Sequence, residues 1–330
     1  MPKPVLESQY CAFINGEWVK GGRSLPSLNP ADTRDIVAIF GEAEKAHVRQ
    51  AAQAARAALK SWTRTPAPVR ASIIHNFGQL IEANKEALAK VLCREIGKPL
   101  REALGSVQEA VDTCHFFVSE GRRLYGQTIP SEMPNKELFT YRRPIGVFGC
   151  MTACNFPFAV PAWYFVPALV AGNTCVWKPS EDAPLTSYYF TSLLSKAGLP
   201  NGVFNTVFGT GSFTGAALVE LIEEGMFDKI GFTGSTEVGR RIGEACGRAL
   251  QNPCLELGGK NPLIVCADAN LDLAVDGALF SGFGTAGQRC TSLGNLIVED
   301  KVYDHFVDKL IKRSRAIKIG DPTQAHNTYG

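Results

Sequence analysis

No run of apolar residues in this chain reaches the length of an ordinary membrane-spanning helix, about 20 residues. The longest run, Phe156 to Ala171, is interrupted by Pro157, Pro161 and Pro167. The first residues, Met1-Pro-Lys-Pro-Val-Leu-Glu-Ser, lack the basic-then-apolar order of a secretory leader. A clustered basic stripe is missing too. The 34 Lys and Arg are interspersed with 32 Asp and Glu for a formal charge of +2, which argues against binding a phosphate backbone. The ten cysteines lack disulfide-framework or metal-type pairing, and Cys150 and Cys154 form no C-x-x-C and have no neighbouring histidine. A calcium loop fails as well, because Asp268-Ala-Asn-Leu-Asp272 is followed by Leu273 and Leu279 where Gly and Glu are needed. These absences lead us to expect a soluble, cytoplasmic protein with no metal site, no membrane and no nucleic acid among its partners.

What is present is enough apolar residue, 45% of 330, for a large core, and the length suits two domains. The most distinctive stretch is Gly282-Phe-Gly-Thr-Ala-Gly-Gln-Arg-Cys-Thr-Ser292. Cysteine usually packs as a small hydrophobe, but a thiolate that must meet an electrophile needs a bent, uncrowded backbone, which glycines permit. Cys290 is therefore the candidate nucleophile. Upstream, Pro253-Cys-Leu-Glu-Leu-Gly-Gly-Lys-Asn-Pro262 sets one carboxylate, Glu256, among apolar neighbours. Loss of solvation there would raise its pKa and suit it to accept a proton, making Glu256 the candidate base.

Along the chain, Ala12 to Val19 reads as a hairpin turning at Asn15-Gly16. Helical periods follow over Val48 to Trp62, Pro68 to Val91 and Leu100 to Leu124. His47, His75 and His115 in this region have no acid or cysteine at a useful spacing and read as packed or surface residues. Residues 125–143 interrupt the helical pattern as an extended ribbon. From Ile145, apolar strands near 145, 173, 203, 228 and 261 alternate with helices, which is the βαβ rhythm of a mainly parallel sheet. Ligands collect at the carboxyl ends of such strands.

Polar motifs fall at those ends. Asn155, in Gly149-Cys-Met-Thr-Ala-Cys-Asn-Phe-Pro157, reads equally as a structural cap or as a donor in a site. Lys178-Pro-Ser-Glu181 could be a solvated ion pair. Gly209-Thr-Gly-Ser-Phe-Thr-Gly215 does not match the dinucleotide fingerprint. Lys229-Ile-Gly-Phe-Thr-Gly-Ser-Thr-Glu-Val-Gly239 is the stronger signal, a strand ending at Gly234 with a helix starting at Ser235, whose open amides suit a pyrophosphate.

Together, Leu-Glu-Leu-Gly-Gly-Lys-Asn-Pro, Gly-Gln-Arg-Cys-Thr, Lys-Pro-Ser-Glu and Phe-Thr-Gly-Ser-Thr resemble the aldehyde dehydrogenase superfamily. The resemblance implies an α/β fold: a Rossmann-like parallel-sheet cofactor domain over residues 1–124 and 144–257, an oligomerisation β-ribbon over 125–143, and over 258–330 the first part of an incomplete α/β catalytic domain. It implies NAD(P)-dependent oxidation of an aldehyde to the acid through a cysteine thiohemiacetal and thioester. Cys290 would be the nucleophile, Glu256 the base, Asn155 the oxyanion donor, and Lys178 would stand with them. Glu256 itself argues for the hydrolytic type over acyl transfer to coenzyme A. Cofactor contacts carried over are Met151, Thr152, Lys178, Ser180, Glu181, Gly209, Gly211, Phe232, Thr233, Gly234, Ser235, Val238, Leu257 and Gly258.

A carboxylate at Glu181 that accepts from a ribose hydroxyl would repel a 2′-phosphate, which favours NAD with NADP as the alternative. The residues beside Cys290 and Asn155 look closest to the semialdehyde branch that includes α-aminoadipic semialdehyde dehydrogenase. The resemblance also implies a homodimer or homotetramer. Cys154 departs from the aromatic residue many members carry before this asparagine. The chain stops before the rest of the family's catalytic domain, so a truncated, inactive or structural relative, as in the lens crystallins, is the competing reading.

Overall fold

The computed structural model describes residues 9–330; the stretch from Met1 to Ser8, read above for a leader, lies outside the described residues. Strands β1 (Tyr10–Ile14) and β2 (Glu17–Lys20) form the expected hairpin. Asn15 and Gly16 sit at φ 52° and 87°, the left-handed pair that a two-residue turn matching the strand twist requires. A second antiparallel pair, β3 (Ser24–Asn29) and β4 (Asp32–Gly41), leads into helices α1 (Lys45–Arg64), α2 (Ala67–Ala83), α3 (Lys85–Ile96) and α4 (Leu100–Glu120). The single helix expected over Pro68 to Val91 is two, because Asn84 leaves helical geometry at φ −113° and ψ 9°. His47 has a local role: its Nδ1 accepts from the Glu44 amide at 3.1 Å where α1 begins.

The interruption over 125–143 contains two short strands, β5 (Thr128–Ile129) and β6 (Leu138–Phe139), paired antiparallel. The alternating region then gives β7 (Val147–Met151), α5 (Ala159–Val170), β8 (Thr174–Lys178), α6 (Pro184–Lys196), β9 (Phe204–Val207), α7 (Ala216–Glu223), β10 (Lys229–Gly234), α8 (Thr236–Arg248) and β11 (Cys254–Leu257). A π-helical turn, Gly211–Gly215, leads into α7. The last segment comprises β12 (Asn261–Val265), α9 (Leu271–Phe283), β13 (Leu293–Val298) and α10 (Tyr303–Ser314).

Strand order in the main sheet is β11-β10-β7-β8-β9-β1-β2, with β7 to β11 mutually parallel and the hairpin added antiparallel at β9. Side-chain alternation along the strands divides the core. Phe148, Cys150, Cys175 and Trp177 pack under α2, α4, α5 and α6, whereas Val147, Met151, Val176 and Ile230 pack under α1, α7 and α8. The strand near 261 does not join this sheet. It pairs in parallel with β13 over a separate small core around Val265, Val275, Ala278 and Phe306, and the fifth parallel strand is β11 instead. No helix among the described residues is long and apolar enough to cross a membrane; the apolar run from Phe156 became the core helix α5.

From β7 the chain builds outward through β8 and β9, then returns to the other side of β7 with β10 and β11. The carboxyl ends of β7 and β10 therefore flank the crevice where the winding reverses, the place such sheets offer to a ligand.

Candidate active site

The carboxyl edge is built by register. Met151 lies beside Lys178 on one side and Phe232 on the other, and Thr233 lies beside Glu256, Gly234 beside Leu257. Residues distant in sequence thus form one row along the sheet edge. Lys178 ends β8 and is buried, with Nζ 3.0 Å from Glu181 Oε2. Burial pulls the lysine below its ordinary pKa, and Glu181 partly offsets this. Burial also acts to raise Glu181, but the Lys178 charge and backbone donors outweigh it and hold the carboxylate below its usual range. One of those donors is the Gly211 amide, at 3.1 Å from Oε1. The pair is thus a built feature of the edge, not the solvated ion pair the sequence allowed.

Around it, Gly209 and Gly211 flank Thr210, whose amide and hydroxyl donate to Glu42 Oε1 at 3.1 and 2.6 Å. Ser235 caps α8, its Oγ accepting from the Val238 amide at 3.3 Å. The remaining first-turn amides of that helix, at its positive dipole end, begin directly beyond the carboxyl end of β10. Gly234 closes β10 and Gly258 follows β11, while Leu257 packs toward Gly239 of α8. The Thr152 hydroxyl is committed to structure, accepting from Trp177 Nε1 at 2.9 Å, and the Ser180 hydroxyl donates to Asp182 at 3.2 Å. A buried cation paired with a carboxylate, beside a helix N-terminus and a Gly-Thr-Gly loop, suits the ribose and diphosphate of a dinucleotide.

A cavity of about 900 Å³ opens beside this edge, and Cys290, Glu256, Asn155 and Thr233 all line it. Lys178 lies outside that lining. Phe156, Trp163, Tyr164 and Phe280 give the cavity largely apolar walls. Alternation along β11 turns Leu255 and Leu257 toward α8 and leaves Cys254 and Glu256 facing the cavity. Glu256 is exposed, which corrects the desolvation expected from its apolar sequence neighbours. Those leucines point to the opposite face of the strand, and β11 lies at one edge of the sheet.

The backbone that delivers Cys290 is bent within the glycine-rich stretch, though two of the bent residues are not glycine. After α9, a 3-10 turn over Gly284–Gly287 places Thr285 at φ 56°, Ala286 at 53° and Gly287 at 72°. Two of these three left-handed residues carry a Cβ, so the arch costs on the order of 1–2 kcal/mol at each. Beyond it, Asn261 Nδ2 donates to the carbonyls of Cys290 at 2.7 Å and Ser292 at 3.0 Å, pinning the backbone that leaves the thiol. The thiol itself is free and Cys290 is exposed. Asn155 reaches the same loop: its Nδ2 donates to the Gln288 carbonyl at 2.9 Å, and its Oδ1 accepts from the Phe156 amide at 3.1 Å. One Nδ2 hydrogen remains to be offered to the cavity.

Sequence reasoning passed over several groups at this site. Tyr164 ties α5 to β10, its hydroxyl 3.0 Å from Thr233 Oγ1 and 3.2 Å from the Phe232 carbonyl, and burial drives its phenol well above the ordinary range. Its only sequence signal was its place in the helix that follows the Asn155 loop. Arg289, quoted within the motif but given no role, donates Nε to Thr285 Oγ1 at 2.7 Å and stacks 4.5 Å from the Phe280 ring. Glu102, Glu109 and Cys254 also line the cavity and carried no local signal.

Residues 18–330 match the aldehyde dehydrogenase family. The chain is similar to the α-ketoglutarate semialdehyde dehydrogenase of Haloferax volcanii, at 39% identity over 94% of this chain and 64% of that protein. It is similar also to the NADP+ succinate-semialdehyde dehydrogenase of Escherichia coli, at 41% identity over 97% of this chain and 66% of the relative. A solved E. coli NADP-dependent enzyme superposes with a TM-score of 0.93 at 39% identity, covering 98% of this chain and 66% of its own. The chain thus spans just under two thirds of the length of the curated relatives it matches. With the match running through both the sheet edge and the cysteine arch, the chain belongs to the aldehyde dehydrogenase family.

Proposed function

We propose that this chain carries the NAD(P)-dependent oxidation of an aldehyde to its carboxylic acid. The observation that supports this reading most is that Cys290, Glu256 and Asn155 line one cavity beside the carboxyl edge of the sheet. Cys290, as thiolate, attacks the carbonyl carbon, and the developing oxyanion is held by the free Asn155 Nδ2 hydrogen and the Cys290 amide. The dinucleotide, when bound, supplies the hydride acceptor. Glu256, open to solvent, takes a proton from the water that hydrolyses the resulting thioester. Lys178 and Glu181 hold the ribose hydroxyls, and Gly234 and Ser235 receive the diphosphate.

The relatives named for α-ketoglutarate and succinate semialdehydes support a semialdehyde substrate. Residues 1–124 and 144–257 form the cofactor domain, and 258–330 contribute the first part of the catalytic one. The ribbon over 125–143 displays Tyr125, Ile129, Phe139 and Tyr141 to solvent, which supports a homodimer or homotetramer. Ten free thiols suit a cytoplasmic setting.

The competing reading is a chain without activity. NADH absorbance with aliphatic aldehydes and semialdehydes, on the 330-residue chain and on any longer parent, separates the two. Cys290→Ser is expected to lower turnover by roughly a thousandfold or more while dinucleotide binding persists. Full oxidation by that variant would remove the thiol from the mechanism.

A further inference from the structure

The arch that presents Cys290 is held in its left-handed conformation by groups far from it in sequence. Such backbone persists only when its surroundings over-determine it. Thr285 is buried, and its amide donates to the carboxylate of Glu102, in the first turn of α4. On the next residue, the Ala286 carbonyl accepts from the Tyr329 hydroxyl at 3.1 Å. The Tyr329 ring also meets Phe283 edge-on at 6.4 Å, where α9 enters the arch.

Tyr329 is itself anchored. Its amide donates to the Lys318 carbonyl and its carbonyl accepts from the Gly320 amide, both at 3.1 Å, and it bridges Ile319. The same segment docks on α4, whose Leu100 amide donates to the Pro322 carbonyl at 3.0 Å. Glu102 lies two residues along that helix. The segment over 317–330 and the start of α4 therefore form one connected support that grips successive residues of the arch, one through its N–H and the other through its C=O.

We propose that Tyr329, acting with Glu102, is a positioning residue that sets the arch and through it the orientation of the Cys290 thiol and amide. Neither side chain touches the reacting atoms in this assignment. The catalytic part rests on the nucleophile reading of Cys290, whereas the structural part does not. Tyr329→Phe keeps the ring and its Phe283 contact and deletes only the hydroxyl. Glu102→Gln keeps an acceptor for the Thr285 amide, and Glu102→Ala removes it.

Hydrogen exchange followed by mass spectrometry reads the arch peptide, residues 284–290, without requiring turnover. The expected result for Tyr329→Phe is exchange about fivefold faster in that peptide, equivalent to ~1 kcal/mol for one hydrogen bond, with exchange in the main sheet unchanged. Glu102→Ala should accelerate the same peptide and Glu102→Gln should restore most of the protection. In the active protein, kcat with aldehyde should fall about tenfold in Tyr329→Phe while the Kd for the dinucleotide holds. Unchanged arch exchange in Tyr329→Phe would overturn the proposal, as would acceleration spread evenly over the chain. Should Cys290→Ser retain oxidation, the nucleophile reading falls while the exchange experiment still decides whether Tyr329 holds the arch.

Discussion

Replacing Lys98 by methionine should make the protein more stable at neutral pH. Lys98 lies between α3 and α4 with 1% of its surface exposed, and among the described residues its Nζ has no hydrogen-bond partner. The nitrogen sits 3.7 Å from the centre of the Phe156 ring, behind the cavity wall. Burial pulls its pKa from 10.5 down to about 7, against the opposing pull of Glu102 and Glu109, with Arg289 adding to the fall. That fall, from 10.5 to about 7, corresponds to roughly 5 kcal/mol.

The sign follows from proton counting. Between pH 7 and 10.5 the unfolded chain holds a proton on this lysine that the native state releases, so stability rises with pH through that window. Below pH 7 the native state keeps the proton and carries the full burden of a buried charge. Methionine has a similar length, no polar atom and no titration. Imperfect repacking takes back about 1–2 kcal/mol. Lys98→Met should therefore gain about 3 kcal/mol at pH 7, a gain that shrinks toward pH 10. Urea unfolding of both proteins at pH 7, 8.5 and 10 measures it. A variant no more stable at pH 7, or a difference constant across the series, would refute the argument and mean that Glu102 and Glu109 support a charged Lys98.

Two further substitutions probe the scaffold and the edge. Glu95 is fully buried, and its carboxylate accepts from the Leu185 and Thr186 amides at 2.7 Å each, from Thr186 Oγ1 at 2.6 Å and from Ser27 Oγ at 3.3 Å. Glu95→Ala strands the first-turn amides of α6 and should cost about 3–5 kcal/mol, read as a lower urea midpoint at unchanged slope. Glu181→Ser removes the carboxylate facing Lys178 and should shift relative affinity from NAD toward NADP by about tenfold in titration calorimetry. A shift toward NAD would count against the role assigned to Glu181.

Features that depend on neighbours along the chain were legible before the fold. Asn15-Gly16 specified its turn because few other pairs tolerate positive φ in succession. The βαβ rhythm specified the parallel sheet because buried strands and amphipathic helices have different periods. It also placed Asn155, Lys178 and Ser235 at strand ends, where the winding of the sheet gathers them along one edge. The rest came from long-range packing. It made β11 the fifth parallel strand and gave β12 a separate partner, β13, over its own core. It left Glu256 exposed, because strand alternation outweighs the character of sequence neighbours. It also brought Lys98 behind Phe156, and Glu102 and Tyr329 onto the arch. Such encounters depend on where distant segments pack, and no local periodicity or turn chemistry encodes them.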